Sequence, residues 1–210
     1  MLTVHHLGVS QSERIVWLSE ELGLDYELKR YDRIPPGTGM GPPEYKALHP
    51  LGTAPIITDG PVVLPESGAI MEYILGRYGQ GRLVVGPEAP NFADYLFWFH
   101  FANASFLPSQ SGAPREKADE SPRAQFMRAR SERAWRLVED RLGAAPYFAG
   151  DDFTAADIIM GFALTTMRAF APRDLAPYPN IRAYLKRIGE RPAYRRAMQK
   201  ADPQMEPMLS

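Results

Sequence analysis

GTAPIITDGPVVLPESGAIMEYI, residues 52–74, predicts two short strands joined by a tight turn and followed by a helix. Pro55 stands directly before the apolar pair Ile56-Ile57. A proline has no N–H for a strand ladder, so it suits the first residue of a strand, and it is a candidate for a cis peptide bond. Asp59-Gly60 is a hairpin turn signal between two β-branched runs. We therefore expect a β-hairpin whose first strand opens at the proline.

The residues that flank this hairpin have the chemistry to hold one end of a small peptide. Glu66 and Ser67 precede Ile70 and Tyr73, which have helical spacing. The N-terminus of a helix offers unpaired N–H groups and a positive dipole end, which bind a carboxylate. Glu66 supplies a negative charge for an ammonium group, and the backbone of Ala54 is placed to pair with an extended ligand. Carboxylate and ammonium on one carbon form the α-amino-acid end of a peptide.

This arrangement resembles the thioredoxin-like N-terminal domain of the glutathione S-transferase superfamily, which pairs a cis-proline loop with an acid–serine turn to hold glutathione. The matching pairs here are Ala54-Pro55 and Glu66-Ser67, with Thr53 beside them. The resemblance extends to HHLGVSQSERIVWLSEELGLDYEL, residues 5–28, and to much of the second half of the chain. It implies glutathione as the co-substrate and a homodimer as the assembly.

Composition narrows the class of protein. The 210 residues allow one or two domains, and the contents of 45% hydrophobic and 23% charged residues are those of a soluble globular protein. The sequence has no apolar run long enough for a transmembrane helix, and its first ten residues are unlike a secretory signal, so we expect a cytoplasmic protein without membrane contact. The absence of cysteine excludes a disulfide framework and a protein thiol nucleophile, and it disfavours the cysteine-type reductases of the superfamily.

Neither a metal nor a nucleic acid is an expected partner. His5-His6 is interpreted as a strand pair, because no other histidine stands at metal-ligand spacing from it. A net charge of −1 argues against nucleic-acid binding. The basic residues near the end of the chain are interpreted as a solvated face. They are Arg182, Lys186, Arg187, Arg191, Arg195 and Arg196.

Periodicity predicts an α/β domain followed by an all-α domain. Residues 1–80 read as a thioredoxin-like βαβ-ββα unit, residues 81–90 as a Gly- and Pro-rich linker, and residues 91–210 as helical. Within the helical part, residues 108–122 predict a connection between helices, and Asn91 is a candidate helix cap. Thr154 and Asp157 have the spacing of a capping box, so their expected role is structural.

Ser10 is the candidate catalytic residue. It stands just before the first helix, where a hydroxyl donor and the helix dipole both stabilise a thiolate. In the serine-type members of the superfamily the serine precedes an arginine by about four residues, and Ser10 and Arg14 match that spacing. Ser12 is the alternative, either as the thiolate stabiliser or as a helix cap, and both serines acting only as caps is the structural alternative.

Two further subsites are predicted from weaker patterns. The resemblance requires a basic or amide side chain for the glycine carboxylate of glutathione, and Lys46, His49 and Arg33 are the candidates. The helical domain is expected to supply most of the site for an apolar electrophile. Phe101 and Phe106 are the candidate contacts there, although core packing is the usual role of any single aromatic residue.

The resemblance implies a cytoplasmic glutathione S-transferase that acts in detoxification by adding the thiolate of glutathione to small apolar electrophiles. One alternative is a non-catalytic protein of the same fold that carries a ligand or binds a partner protein. Another is a glutathione-dependent isomerase or peroxidase, which would share the glutathione site and differ in the second substrate.

Overall fold

The computed structural model describes residues 1–34, 40–111 and 121–210, with the backbone alone at residue 111. These residues form two units of mutual contacts. Unit 1 comprises Met1–Val84 and Ile188–Pro207, and unit 2 comprises Val85–Arg187 and Met208–Ser210.

Unit 1 is built on a four-stranded sheet of order β2-β1-β3-β4. The parallel pairing of β1 with β2 and the antiparallel pairings of β1 with β3 and of β3 with β4 reproduce the predicted βαβ-ββα order. The predicted turn at Asp59-Gly60 is present, with Gly60 at a φ of 58° that a residue with a Cβ rarely adopts. The strands are Leu2–Leu7 (β1), Glu27–Tyr31 (β2), Ile56–Asp59 (β3) and Val62–Pro65 (β4).

Helix α1 is buried along nearly its whole length. It begins after Ser12 and ends before Gly23, whose φ of 62° gives the left-handed C-terminal cap expected of glycine. Its core residues include Ile15, Val16 and Leu18, all with no exposed surface. The helices of the first part of the chain are Glu13–Leu22 (α1), Pro43–Lys46 (α2) and Ser67–Tyr78 (α3).

Residues 188–207, which the sequence analysis assigns to the helical domain of residues 91–210, group with unit 1 by their contacts. Helix α9, Pro192–Ala201, packs along α1. Trp17 of α1 meets Tyr194 of α9 edge to face, with ring centroids 4.8 Å apart. This packing buries the outer face of α1, which would otherwise expose an indole.

Ion pairs between α1 and the end of the chain correct the interpretation of the basic stretch as a purely solvated face. Arg191 donates two hydrogen bonds to the carboxylate of Glu21, at 2.7 and 2.8 Å. Glu20 accepts from Arg196 at 3.1 Å and from Lys200 at 2.5 Å. Burial raises the pKa of Glu20, but these cations and the Tyr26 hydroxyl outweigh it, so the pKa lies below its usual value.

The regular elements of unit 2 are all helices among its described residues. Of the predicted connection at residues 108–122, residues 108–111 and 122 are helical, Ser121 is the N-cap of the next helix, and residues 112–120 lie outside the described residues. Its helices are Phe92–Phe101 (α4), a π-helical segment Ala102–Phe106, Leu107–Ser111 (α5), Pro122–Ala144 (α6), Ala155–Leu164 (α7), a 3-10 turn Thr166–Ala169 and Pro179–Gly189 (α8), the last two residues of which belong to unit 1.

Helix α7 forms the core of unit 2, since all ten of its residues are buried. Thr154 and Asp157 make a capping box at its start: the Thr154 side chain accepts from a backbone N–H of the first turn, and Asp157 Oδ2 accepts the Thr154 N–H at 2.8 Å. Asn91 stands at the N-cap of α4, but its side chain does not cap that helix and instead donates to the carbonyl of Ala149 at 2.8 Å. Across the described residues, the structure contains no helix of the length and apolarity needed to span a membrane.

Candidate functional site

The C-terminal ends of β1 and β4 and the start of β3 lie side by side at the same end of the sheet. Ile56, at the start of β3, pairs with His5 near the end of β1 and with Pro65 at the end of β4. The chain that adjoins these three ends forms the loop with the candidate serines, the turn with the candidate cis proline, and the acid–serine turn. The hydrogen-bonding register of unit 1 therefore brings together the three segments that the sequence singled out.

Ser10 and Ser12 form a hydrogen-bonded pair in the loop after β1. Their Oγ atoms lie 2.6 Å apart, and the Ser10 hydroxyl also lies 2.6 Å from the carbonyl oxygen of Leu7. Ser12 occupies the N-cap position of α1, but its hydroxyl makes no capping bond and instead accepts the Leu7 N–H at 3.2 Å. Ser10 keeps 7% of its surface exposed, whereas Ser12 keeps none. Of the two candidates, Ser10 is the one with surface that a ligand can reach.

A histidine and an aspartate continue this hydrogen-bonded chain. His6 Nδ1 lies 2.8 Å from Ser12 Oγ, and His6 Nε2 lies 3.1 Å from Asp202 Oδ2. The other oxygen of Asp202 accepts the Val9 N–H at 2.9 Å. Burial raises the pKa of Asp202, but the hydrogen bonds from His6 and Val9 outweigh it and hold the pKa below its usual value. Asp202 is therefore a carboxylate at neutral pH.

Arg14 connects the serine loop with the acid–serine turn. Its guanidinium is fully buried and donates from Nη1 to Gln11 Oε1 at 2.9 Å and to Ser67 Oγ at 3.2 Å. Burial lowers the pKa of Arg14 to about 9, and the nearby Glu13 opposes that shift. The group thus carries a full positive charge at neutral pH, between the start of α1 and the start of α3.

The Ala54–Pro55 peptide bond is cis, which confirms the sequence-based expectation. Pro55 is buried, Ala54 is half-buried and Thr53 is exposed. Ala54 packs against a small cluster formed by Leu7, Tyr45 and others. The turn is thus anchored in the core on one side and open on the other.

The acid–serine turn has an unusual backbone. Glu66 has a φ of 72° and a ψ of 114°, a conformation that costs a residue with a side chain about 1–3 kcal/mol. Its side chain is exposed, while the next residue, Ser67, is buried and begins α3. Strain of this kind persists where the surrounding structure enforces it, and it is concentrated at functional sites.

The three basic candidates for the glycine carboxylate differ in their surroundings. Arg33 donates to the carbonyls of Gly8 and Val9, at 2.8 and 2.9 Å, so it braces the serine loop. His49 is half-buried, and its Nδ1 accepts the Leu51 N–H at 3.2 Å, which leaves the ring proton on Nε2. Lys46 is exposed at the end of α2. Lys46 and His49 are the better placed of the three to meet a ligand.

The structure corrects the assignment of Phe106 as a contact for an electrophile. Phe106 has no exposed surface and packs against Phe101 and Trp135, with ring centroids 5.9 and 5.2 Å away. It is a core residue of unit 2. Phe101 is partly exposed and stacks on Phe97, which leaves it as the remaining aromatic candidate in this part of the chain.

The sequence missed two residues of this site. The sequence predicts His6 only as a strand residue, whereas its side chain points from β1 into the serine loop. Asp202 carried no signal, because it lies 196 residues from His6 along the chain. Among the described residues, no group of three or more His, Asp or Glu could hold a metal ion.

Comparison with known proteins gives consistent matches along the chain. The family described as glutathione S-transferase, N-terminal domain, matches residues 10–75, and the family described as glutathione S-transferase, C-terminal domain, matches residues 68–187. Glutathione S-transferase 3 of Schizosaccharomyces pombe is 33% identical, with 96% of this chain and 88% of that protein covered.

Solved structures and a second type of relative complete the comparison. The structure of a glutathione S-transferase from Actinobacillus pleuropneumoniae aligns with a TM-score of 0.87 at 36% identity, over 100% of this chain and 99% of that one. The disulfide-bond oxidoreductase YfcG of Escherichia coli is 27% identical, with 96% of each chain covered.

Proposed function

Because the chain belongs to the glutathione S-transferase family, we propose that it binds glutathione in unit 1, holds its thiol as a thiolate and transfers it to small apolar electrophiles. The observation that carries the proposal is the convergence of three segments at one sheet edge: the Ser10 loop, the Ala54–Pro55 turn and the Glu66-Ser67 turn. Each supplies a different part of a peptide-binding site. The main chain beside the proline offers strand-like hydrogen bonds to an extended ligand.

The Glu66-Ser67 turn is the proposed subsite for the γ-glutamyl end of glutathione. Glu66 is exposed and places a carboxylate where an ammonium group can pair with it. The start of α3 offers N–H groups and a positive dipole end to the adjacent carboxylate. Arg14, which donates to Ser67, adds a buried positive charge behind the same turn. Lys46 and His49 are the proposed contacts for the glycine carboxylate at the other end.

Ser10 is the proposed hydrogen-bond donor to the sulfur. A free thiol has a pKa of about 8.5, so little of it is ionised at neutral pH. A hydroxyl donor and the N-terminal end of α1 both favour the anion and lower that pKa. Ser10 is preferred over Ser12 because it retains exposed surface, while Ser12 is enclosed and bonded to His6.

A second candidate function shares this site. The similarity to a disulfide-bond oxidoreductase favours glutathione-dependent reduction of a disulfide or peroxide, in which the bound thiolate attacks sulfur or oxygen. The chain has no cysteine, so both sulfur atoms of any mixed disulfide would come from its ligands. The homodimer, the cytoplasmic location and the role in detoxification that the sequence predicts stay predictions.

The test is the ionisation of bound glutathione, followed as thiolate absorbance against pH. We expect a thiol pKa well below that of free glutathione in the wild type, and a rise toward the free value in Ser10→Ala. Ser19→Ala is the matched control, since Ser19 is a buried serine of α1, the helix that follows the Ser10 loop, and its hydroxyl donates to the carbonyl of Ile15 at 2.8 Å.

The outcomes separate the alternatives. Conjugation of glutathione to an aryl halide by the wild type, reduced in Ser10→Ala and retained in Ser19→Ala, would support the transferase. A lowered thiol pKa without conjugation, but with reduction of a peroxide or disulfide, would favour the second candidate. Failure to bind glutathione, or binding with an unchanged thiol pKa, would mean a non-catalytic protein of this fold.

A further inference from the structure

A continuous chain of hydrogen bonds runs from Ser10 into the interior of unit 1. It passes from Ser10 Oγ to Ser12 Oγ at 2.6 Å, on to His6 Nδ1 at 2.8 Å, and from His6 Nε2 to Asp202 Oδ2 at 3.1 Å. His6 and Ser12 have no exposed surface, so water does not compete for these bonds. The two ends reach the surface: Ser10 keeps 7% of its surface exposed, and the Asp202 side chain keeps 11%.

Asp202, at one end of this hydrogen-bonded chain, determines where the protons of the chain lie. Asp202 is a carboxylate, and it already accepts the Val9 N–H through Oδ1. It therefore accepts the Nε2–H of His6 through Oδ2. A neutral imidazole that carries its proton on Nε2 presents a lone pair at Nδ1, and Ser12 then donates its hydroxyl proton there.

This order of donors leaves Ser12 Oγ as an acceptor for the Ser10 hydroxyl. Ser12 Oγ gives its proton to His6 and keeps its lone pairs for incoming donors. Ser10 points its proton inward, to Ser12 Oγ or to the carbonyl of Leu7, each 2.6 Å away. While His6 is neutral, Ser10 thus offers a lone pair, not a proton, to a group that approaches from the surface.

We propose that His6, held by Asp202, is the store for the proton that leaves the thiol of bound glutathione, reached through Ser10 and Ser12. The inference rests on the proposed function. The S–H bond breaks and its proton passes to Ser10 Oγ, the Ser10 proton passes to Ser12 Oγ, and the Ser12 proton forms the Nδ1–H bond of His6. The products are a thiolate and an imidazolium, and both hydroxyl groups remain intact.

The transfer reverses the hydrogen bonds between Ser10 and Ser12 and between Ser12 and His6, while the Nε2–H of His6 still donates to Asp202. His6 Nδ1–H then donates to Ser12, which frees Ser10 to donate its proton to the sulfur anion. The thiolate thus gains its donor in the same step that creates it. His6 and Asp202 touch no substrate atom, so they are positioning residues that act through the two serines.

The charges around His6 suit an imidazolium that forms only with a thiolate. The nearest charge is the carboxylate of Asp202, whose Oδ2 lies 3.1 Å from His6 Nε2. Arg30 on β2 lies opposite His6 on β1 in the strand register, and Arg33 lies in the loop after β2. Both arginines lie near enough to Asp202 to interact with it electrostatically. These cations offset the carboxylate while the ring is neutral, and the new anion at the sulfur supplies the balancing charge after the transfer.

The experiment counts protons. Wild-type protein is mixed with glutathione near neutral pH in weak buffer with an indicator dye, and thiolate is measured by its absorbance in the same sample. The signal from S-methylglutathione, which has no thiol proton, is subtracted. A stored proton predicts that the wild type releases fewer than half as many protons as it forms thiolates, whereas simple ionisation releases one proton for each thiolate.

Two variants remove the store in different ways. His6→Asn keeps a hydrogen-bond acceptor for Ser12 but has no basic nitrogen. Asp202→Asn keeps the shape, but the Val9 N–H claims the amide oxygen, so the NH₂ group faces His6 and forces the ring proton onto Nδ1, where it blocks acceptance from Ser12. For both we expect less thiolate, with one proton released for each thiolate that still forms.

His5→Asn is the matched control. His5 is the neighbouring buried histidine of β1, bonded to Tyr31 and Thr58 and not to the serine loop, so its loss should leave the proton count at the wild-type value. One proton released per thiolate in the wild type would overturn the relay and leave the proposed function standing. An unchanged low count in both His6→Asn and Asp202→Asn would also overturn it. Absence of thiolate in the wild type would overturn the proposed function, and the relay with it.

Discussion

Asp157 gives a prediction in which the effect of pH on stability has a definite sign. Burial raises the pKa of this carboxyl from 3.8 to about 6, against the hydrogen bonds from Thr154, Phe148 and Tyr184 that favour its charged form. A tenfold change in proton affinity corresponds to about 1.4 kcal/mol, so ionisation of Asp157 costs the native state about 3 kcal/mol relative to the unfolded chain. The native state holds this proton at pH values where the unfolded state has lost it, so the contribution of Asp157 to stability is complete below pH 3.8 and is lost as the pH rises through about 6.

The measurement is urea unfolding of wild type and Asp157→Asn across this pH range. Asparagine does not titrate, so subtraction of the variant cancels all groups that the two proteins share. The wild type should be the more stable protein at acidic pH, and its advantage should shrink by about 3 kcal/mol between pH values of about 4 and 7. Thr165→Ala, which removes a hydroxyl that bonds to Gly161 at the far end of the same helix, should show a cost that does not depend on pH. A wild-type advantage that stays constant or grows with pH would refute the reasoning, since it would mean that the hydrogen bonds outweigh burial.

Four further substitutions test other parts of unit 1. Glu20→Gln should destabilise the protein by about 1–2 kcal/mol at neutral pH, because it removes the charge that accepts hydrogen bonds from partners such as Lys200. Burial raises the pKa of Glu20, but these partners outweigh it and lower the pKa. The stability difference between wild type and variant in thermal unfolding should therefore vanish as the pH falls through the titration of the carboxyl. Gly79→Ala should cost about 1–3 kcal/mol, since a Cβ there would lie 2.4 Å from a backbone oxygen, whereas Gly76→Ala, with nothing within 4 Å, should stabilise α3 by about 0.5–1 kcal/mol in the same assay. Glu66→Gly should raise the stability of the protein by about 1 kcal/mol, because glycine adopts the positive φ without strain. The same substitution should weaken glutathione binding in calorimetry. A loss of stability together with the loss of binding would contradict the assignment of strain.

The elements that the sequence predicted correctly are those whose signals are local. The turn at Asp59-Gly60 depends on the backbone conformation of a single glycine, which the residue type itself favours. The cis bond before Pro55 is likewise a property of one dipeptide in its turn. Signals of this kind survive in any tertiary context that lets the element form.

The misplaced elements depend on contacts between distant parts of the chain. The amphipathic pattern of α9 predicts a helix, but not that its apolar face covers α1 instead of unit 2. The pairing of Arg191 with Glu21 spans 170 residues, and charge runs alone are as typical of a solvated surface. Asn91 shows the same dependence on distant contacts. Its residue type suits a helix cap, but its side-chain amide instead donates to the carbonyl of Ala149.

The choice between Ser10 and Ser12 shows why the chemistry of the site is not readable from its motif. Both residues are serines before the same helix, and each has the hydroxyl that the proposed reaction needs. They differ in their hydrogen-bond partners. In the proposed relay, Ser12 donates its proton to the imidazole of His6, and Asp202 holds that imidazole in the tautomer that accepts the proton. A motif specifies which groups are present, whereas the direction in which a hydroxyl points is a property of the whole hydrogen-bonded chain. Substitutions at Asp202 should therefore alter the ionisation of a thiol that Asp202 never contacts.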